Sequence, residues 1–337
     1  MPSGPVRAPM IGLALFVAIA LLLATAAAAF MTAMPGRSHP SRLPPATAEE
    51  AATAERLRRH VSALALSERH VGEPQALERA ARYIEAAFAR EGLGPRAHRL
   101  ESAGRSVRNI EVVLPRDAAP DVPALVVGAH YDSVPGSPGA DDNASGVAAL
   151  IELGRLLSAE PLPQGRAVRL VAFVNEEPPW FMSEAMGSEA WARRARGGGQ
   201  PILGMLSLEM LGYYREAAGS QRYPFPLTLF YPDRGDFLAF VGDLGSRALV
   251  RQATGAFRRA ATLPSEGLAA PSAIPGVMWS DHWSFRRHGY PAIMVTDTAF
   301  YRNPNYHAGT DTPERLDYDR FSRATVGLAA VVRELVR

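Results

Sequence analysis

Five short apolar runs constrain this chain more than any other feature. Residues 123–129, 168–174, 202–208, 227–231 and 292–296 carry a single charged side chain between them, Arg169. A strand with one face in water alternates apolar and polar residues. A strand that is apolar throughout is buried on both faces, as in a largely parallel sheet covered by helices. Helical periodicity follows these runs at residues 145–158, 184–194, 237–258 and 318–336. The last segment places Phe321, Ala324, Thr325, Leu328, Val332 and Leu335 on one face. Two amphipathic helices, 49–66 and 75–91, and two strands, 97–100 and 108–114, are expected ahead of the first run. Strands alternating with helices predict the α/β class, here a three-layer α/β/α single domain with a central mixed, mostly parallel sheet.

The amino terminus adds a separate element. Residues 10–34 contain no charged side chain, and 11–29 are almost wholly apolar. At ~1.5 Å per residue such a helix crosses a hydrocarbon layer of ~30 Å. The apolar region of a cleaved signal runs to roughly 7–15 residues, shorter than this one. An uncleaved N-terminal transmembrane helix is therefore expected, with cleavage and release as the alternative. Arg7 before it and Arg37 and Arg42 after it leave orientation undecided by positive charge. The expected domain plan is a short segment 1–9, the anchor or uncleaved signal 10–34, a linker 35–46 rich in Pro, Ser and Arg, and a folded domain 47–337.

Composition decides which chemistry the domain can run. The 337 residues include no cysteine and no lysine, and the 36 basic residues, all arginine, face 34 acidic ones. Missing cysteine excludes disulfides, a catalytic thiol, iron–sulfur clusters, thiolate zinc sites and a lipoprotein anchor. Missing lysine excludes Schiff-base chemistry and a Walker-type phosphate lysine. A net charge of +2 gives no electrostatic footprint for nucleic acid. Any metal must be held by histidine and carboxylate.

Ligands of an open α/β sheet bind beyond the carboxyl ends of the strands. His130-Tyr-Asp132, Asn175-Glu176-Glu177, Glu209 and Thr296-Asp297 stand just past the apolar runs. The loop 135–143 adds Asp141 and Asp142, and the loop 303–311 adds Tyr306, His307 and Asp311. Singly, each has an ordinary role, such as capping a helix. Together they bring two histidines and at least four carboxylates to one crevice without a lysine. Protons or cations must compensate that charge, and a divalent metal does so economically. Imidazole with carboxylate suits Zn²⁺, Co²⁺ or Mn²⁺. Five such ligands hold two ions about 3.5–4 Å apart if one carboxylate bridges. A further carboxylate then moves the proton, and the Glu176-Glu177 pair supplies both jobs.

These residues fall in ordered motifs. His130-Tyr-Asp132-Ser, Pro138-Gly-Ala-Asp-Asp142-Asn-Ala-Ser-Gly146, Asn175-Glu-Glu177, Leu208-Glu-Met210, Ser280-Asp-His282 and Tyr306-His307 resemble the motifs of the M28 di-zinc metallopeptidases of the aminopeptidase Y type. The resemblance spans residues 123–311. It implies two Zn²⁺ per chain, with Co or Mn as substitutes, held by His130, Glu209 and His307 as terminal ligands, Glu177 as the other terminal carboxylate and Asp142 as the bridge. It implies Glu176 as general base, Asp132 as the carboxylate orienting the His130 ring, and a cis peptide after Asp142. It implies a peptide substrate, hydrolysed from its amino terminus by a water bridging the two ions, with the domain outside the cytoplasm, periplasmic or extracellular, or secreted after cleavage.

Two places depart from the pattern. Glu209 stands where most relatives carry aspartate, beside the position of the substrate's amine, so the need for a free amino terminus is left open. Pro178-Pro-Trp-Phe181 replaces a small turn, with Trp180 and Phe181 either walling the substrate pocket or packing into the core. Tyr306 is a candidate donor to the oxyanion. His282, with Asp281, is expected to hydrogen-bond behind the ligands, while His60, His70, His98 and His288 are expected to be structural or at the surface. A single-zinc glutaminyl cyclase, and a carboxypeptidase or other amidohydrolase of the same fold, are the competing functions. Oligomeric state and natural substrate are not readable.

Overall fold

The computed structural model describes residues 7–337. Residues 1–6 of the expected segment 1–9 lie outside the described residues. The first helix, α1 (Arg7–Thr32), forms a unit of its own with residues up to Ala33. Its stretch Leu15–Thr32 has a mean hydropathy of 2.4 and is long and apolar enough to cross a membrane.

The second unit, Met34–Arg337, holds everything else. Its strands are β1 (Arg96–Ser102), β2 (Arg105–Leu114), β3 (Ala124–His130), β4 (Ala167–Phe173), β5 (Ile202–Glu209), β6 (Leu238–Asp243), β7 (Ser265–Ala270) and β8 (Ala292–Thr296). They form one sheet in the order β1-β2-β4-β3-β5-β8-β6-β7. The centre, β4-β3-β5-β8, is parallel. The β1–β2 hairpin joins antiparallel at one side, and β6 runs antiparallel to β8 at the other, with β7 parallel to it. The mixed, mostly parallel α/β sheet matches the expectation.

Alternation along β3 shows why the sheet is covered twice. Leu125, Val127 and Ala129 enter the larger core, shared with α2 (Ala48–Leu64), α3 (Pro74–Arg90), α4 (Gly146–Ser158), α6 (Arg247–Ala260) and α8 (Tyr318–Leu335). Val126 faces the other way, into a smaller core with Trp191 of α5 (Gly187–Gly197) and Phe285 of α7 (His282–Arg287). Gly128 is required by close approach, since a Cβ there would lie 2.3 Å from the Phe173 ring.

Three expectations differ from the structure. Residues 227–231 do not form a strand; Leu227–Leu229 is a single 3₁₀ turn. Pro224 and Pro226 beside it supply no N–H and fix φ, which bars a continuous ladder. The expected helix 237–258 is instead β6, a short turn and α6; its first residues, Phe237-Leu-Ala-Phe-Val241, are an apolar run that periodicity cannot tell from a helix. β7 was not expected, because Gly267 and two alanines give it little strand character. Residues 35–46 also make packing contacts of their own. Ser38 Oγ accepts from the Ser265 amide (2.9 Å), Arg323 donates to the Pro44 carbonyl (2.9 Å), and Leu43 packs on the core.

Candidate metal centre

His130 is the last residue of β3 and is fully buried. Its Nε2 lies 3.3 Å from Asp142 Oδ1, 3.4 Å from Glu209 Oε1 and 3.8 Å from Glu176 Oε2. Asp142 comes from the turn between β3 and α4, and its second oxygen faces another way. Asp142 Oδ2 lies 3.1 Å from His307 Nε2, which is 3.4 Å from Glu177 Oε2. The donors thus fall into two groups, His130–Asp142–Glu209 and Asp142–Glu177–His307, which share Asp142. Glu176 belongs to neither. Thr296 and Asp297 stay outside both groups, as does Asp141, whose carboxylate accepts from the Gly212 amide (2.9 Å) and from Asn303 (2.8 Å).

Backbone geometry aims these side chains. Residues past β3, β4 and β5 emerge at one sheet end because those strands are parallel. Asn175 and His307 sit at φ of 62° and 56°, a left-handed region that is costly for both and tolerated where surroundings over-determine it. The Asp142–Asn143 peptide is cis, as the resemblance implied. Asn143 locks the turn to β5 by donating to the Leu208 carbonyl (2.8 Å) and accepting from the Met210 amide (3.1 Å). A side chain at Gly146 would strike Asn143 Oδ1 at 2.3 Å.

A supporting layer holds the candidate ligands. Asp132 accepts the amides of Glu176 (3.2 Å) and Glu177 (3.1 Å), so one carboxylate fixes both glutamates. The His130 Nδ1 lies nearer to the Asp132 carbonyl, at 3.2 Å, than to its carboxylate, at 3.6 Å. Ser280 donates to Glu209 Oε2 at 2.6 Å. Asp311 accepts the amides of Asp141 (3.0 Å) and Asp142 (3.1 Å). Arg69 was not singled out in the sequence. Its buried guanidinium donates to the carbonyls of Tyr131 (2.8 Å), Gly139 (2.8 Å) and Pro138, clamping the loop between His130 and Asp142. No sequence signal marks it, because its partners are backbone atoms more than sixty positions away.

The electrostatics describe a site with too many carboxylates. Burial, with the charge of Asp142, pushes Glu177 up to about 8, and burial with neighbouring Asp141 pushes Asp311 up to about 7. Burial raises Glu176 far above the usual carboxylate range, reinforced by Glu209, Glu177 and Asp281 and opposed by His130. Burial depresses His307, but Asp142 and Glu177 outweigh it and raise the ring to about 10. Asp142 Oδ1 and Glu177 Oε1 are buried and take no hydrogen bond among the described residues. Orphaned carboxylate oxygens beside imidazole nitrogens, with no thiolate, are the donor set that borderline-hard divalent ions accept. The residues fit the metal.

Other expected residues find different places. Tyr306 stacks on His307 with ring centroids 3.8 Å apart, and burial raises its phenol, so its hydroxyl keeps its proton. Trp180 is half-buried and lines a cleft that also borders Glu177, whereas Phe181, half-buried as well, lines neither that cleft nor the larger one beside Glu209. His282 does not support the ligands: its Nε2 meets the Val277 carbonyl at 2.8 Å, and burial lowers it to about 4. Asp281 is buried with both oxygens unpartnered among the described residues. His60 pairs with Tyr83, His98 with Glu111 and His288 with Glu189, as structural residues do. His70 pairs with Glu68 and lines the Glu177 cleft.

Paired imidazole–carboxylate groups on the carboxyl ends of a mixed α/β sheet define a metallohydrolase. The model of peptidase family M28 matches residues 109–332. The chain belongs to peptidase family M28. It is 41% identical over 266 residues to the uncharacterized protein YfbL of Escherichia coli (strain K12), covering 76% of this chain and 80% of that one. It is 26% identical over 227 residues to leucine aminopeptidase 1 of Arthroderma otae, 63% of this chain and 54% of the other, so it spans about half the length of that fungal relative. Among solved structures, the LapA aminopeptidase of Legionella pneumophila superposes with a TM-score of 0.68 at 18% identity, covering 85% of this chain and 74% of that one. The glutaminyl cyclase of Porphyromonas gingivalis superposes with a TM-score of 0.61 at 17% identity, over 83% and 97%. Both share the fold.

Two expectations follow. Arg69→Met leaves the buried Tyr131 carbonyl without its donor and takes one of two donors from Gly139, whose carbonyl keeps the Ala144 amide, so at roughly 1–3 kcal/mol for an unsatisfied buried group the variant loses about that much in chemical denaturation. The second concerns pH. His307 rises from 6.5 to about 10, Glu177 from 4.5 to about 8, and Asp311 from 3.8 to about 7 on folding. In each case the folded chain holds its proton to higher pH than the unfolded chain. The His307 contribution is complete below pH 6.5 and lost towards 10, while the penalties on the two acids are absent below about 4 and complete above about 8. His282, lowered to about 4, works the other way only below pH 6.5, so metal-free protein loses stability between about pH 6.5 and pH 9, and a saturating divalent ion offsets the loss by replacing those protons. A denaturation midpoint that stays level or rises across that interval contradicts this.

Proposed function

We propose that this chain is a zinc aminopeptidase, removing residues from the amino terminus of peptides with two Zn²⁺ per chain. The observation that carries the reading is the division of the Asp142 oxygens between His130 and His307. The groups His130–Asp142–Glu209 and Asp142–Glu177–His307 would each hold one ion. When bound, the ions supply a water of lowered pKa and positive charge beside the substrate carbonyl.

The chain's own residues do the rest. Glu176 stands free of both groups, fixed through its amide by Asp132, with burial raising its proton affinity. It accepts the proton of the attacking water and delivers it to the departing amine. Tyr306, whose hydroxyl takes no hydrogen bond among the described residues, donates to the oxygen that becomes anionic in the transition state. Glu209, one methylene longer than the aspartate expected there, closes the amine end of the site.

Both histidines and all three ligating carboxylates favour hydrolysis over a single-zinc cyclase. For the whole chain, we read α1 as an uncleaved anchor that holds the peptidase domain outside the cytoplasm.

Glu176→Gln tests the mechanism. The variant keeps its metal content and loses roughly 10²–10⁴-fold in turnover of an amino-free peptide. Turnover within threefold of the wild type removes Glu176 from the role of base. An amino-acetylated copy of the peptide resists cleavage; equal hydrolysis of free and blocked peptides contradicts the aminopeptidase assignment and leaves a metallohydrolase.

A further inference from the structure

A cleft of about 860 Å³, its open mouth included, lies beside the metal centre, with Glu209 and Tyr306 among its lining. Sheet register fixes its floor. Glu209 of β5 pairs with Thr296 of β8, Thr296 with Ala239 of β6, and Ala239 with Glu266 of β7. Side chains in register on neighbouring strands share a face, and all four line this cleft. The row is therefore acid, small, small, acid. With only a threonine and an alanine between them, the two acids stand on one face and border the same trough.

The walls are aromatic, from Tyr223, Tyr231, Phe237, Trp279 and Phe300. The two tyrosine hydroxyls are already engaged: Tyr231 donates to the Gly267 carbonyl (2.7 Å) and Tyr223 to the Pro232 carbonyl (2.8 Å). Glu266 is different. Its Oε2 meets Arg258 at 3.4 Å, while its Oε1 takes no hydrogen bond among the described residues and is not sealed from the cleft. The far end of an otherwise apolar trough thus offers one acceptor. Arg258 beside it disfavours a second cation and leaves a neutral donor as the better match.

From the register, the row and the free acceptor we infer that Glu266 selects substrates whose amino-terminal side chain is a long aromatic tipped with a hydrogen-bond donor, tyrosine foremost. The inference rests on the aminopeptidase reading, which places the substrate amine beside Glu209. Three strand spacings of ~4.8 Å separate the two acids by about 14 Å, and a hydrogen bond of ~3 Å at each end leaves about 8 Å, close to the span of tyrosine from amine to hydroxyl. Leucine ends halfway along. Phenylalanine fills the aromatic walls but leaves Glu266 Oε1 buried behind an apolar ring, where an unmet acceptor counts against binding.

Hydrolysis of tyrosine, phenylalanine and leucine p-nitroanilides by the zinc-loaded full chain tests this. The wild type shows kcat/KM at least about tenfold higher for tyrosine than for phenylalanine. Glu266→Gln narrows the ratio, and Glu266→Leu brings it to one; taking the ratio within each variant cancels any shared loss of folding or metal. Calorimetric titration of the free amino acids tyrosine and phenylalanine gives the same order without turnover. A wild-type ratio near one, or a ratio that survives Glu266→Leu, overturns the assignment of Glu266 and leaves the aminopeptidase reading standing. A wild type that hydrolyses none of the three overturns both.

Discussion

One carboxylate facing two imidazoles organises this molecule. Asp142 is buried, its oxygens point to different histidines, and those histidines stand far apart in the sequence. Holding a charge in that position is unfavourable unless its surroundings are rigid and complementary. Much of the nearby architecture meets that demand: the parallel strands that deliver His130, the turn that Asn143 ties to β5, and the amides of Asp141 and Asp142 that Asp311 accepts. Arg69 brings a buried positive charge to the same loop without neutralising any single ligand, because carbonyls take all its hydrogen bonds to the loop.

On the proposed reading, the same arrangement separates binding from proton transfer. Glu176 and Glu177 are neighbours in sequence and hang from the two oxygens of one aspartate, yet only Glu177 joins a metal group. Glu176 is left beside His130, outside both groups, with a raised proton affinity that suits the base proposed for it. Local charge excess is thus a stability cost of the metal-free fold and the source of its chemistry.

How much was legible follows from which forces are local. The central strands β3, β4, β5 and β8 could be read because apolar character on both faces is written into consecutive residues. The positions of His130, Glu176, Glu177 and Glu209 followed, since a strand end is a place in the sequence as well as in space. Between 227 and 270 the helix α6 is legible but the strands β6 and β7 are not, because the order there depends on proline blocks and on small residues that pack only in context. Arg69 could not be found from its neighbours, its partners being backbone carbonyls distant in the chain. His282 misled for the opposite reason: a motif position suggested a ligand-supporting role that its buried bond to Val277 takes up. The trough from Glu209 to Glu266 is legible only from the register of β8, β6 and β7.

Zinc content bears most directly on the shared role of Asp142. Wild-type protein saturated with zinc, freed of excess by gel filtration and measured by elemental analysis, should carry two ions per chain. Asp142→Asn, equal in shape but with one acceptor oxygen and no charge, should lose both together. One tightly bound ion in the wild type, or an Asp142→Asn protein that keeps one or both, would contradict the account.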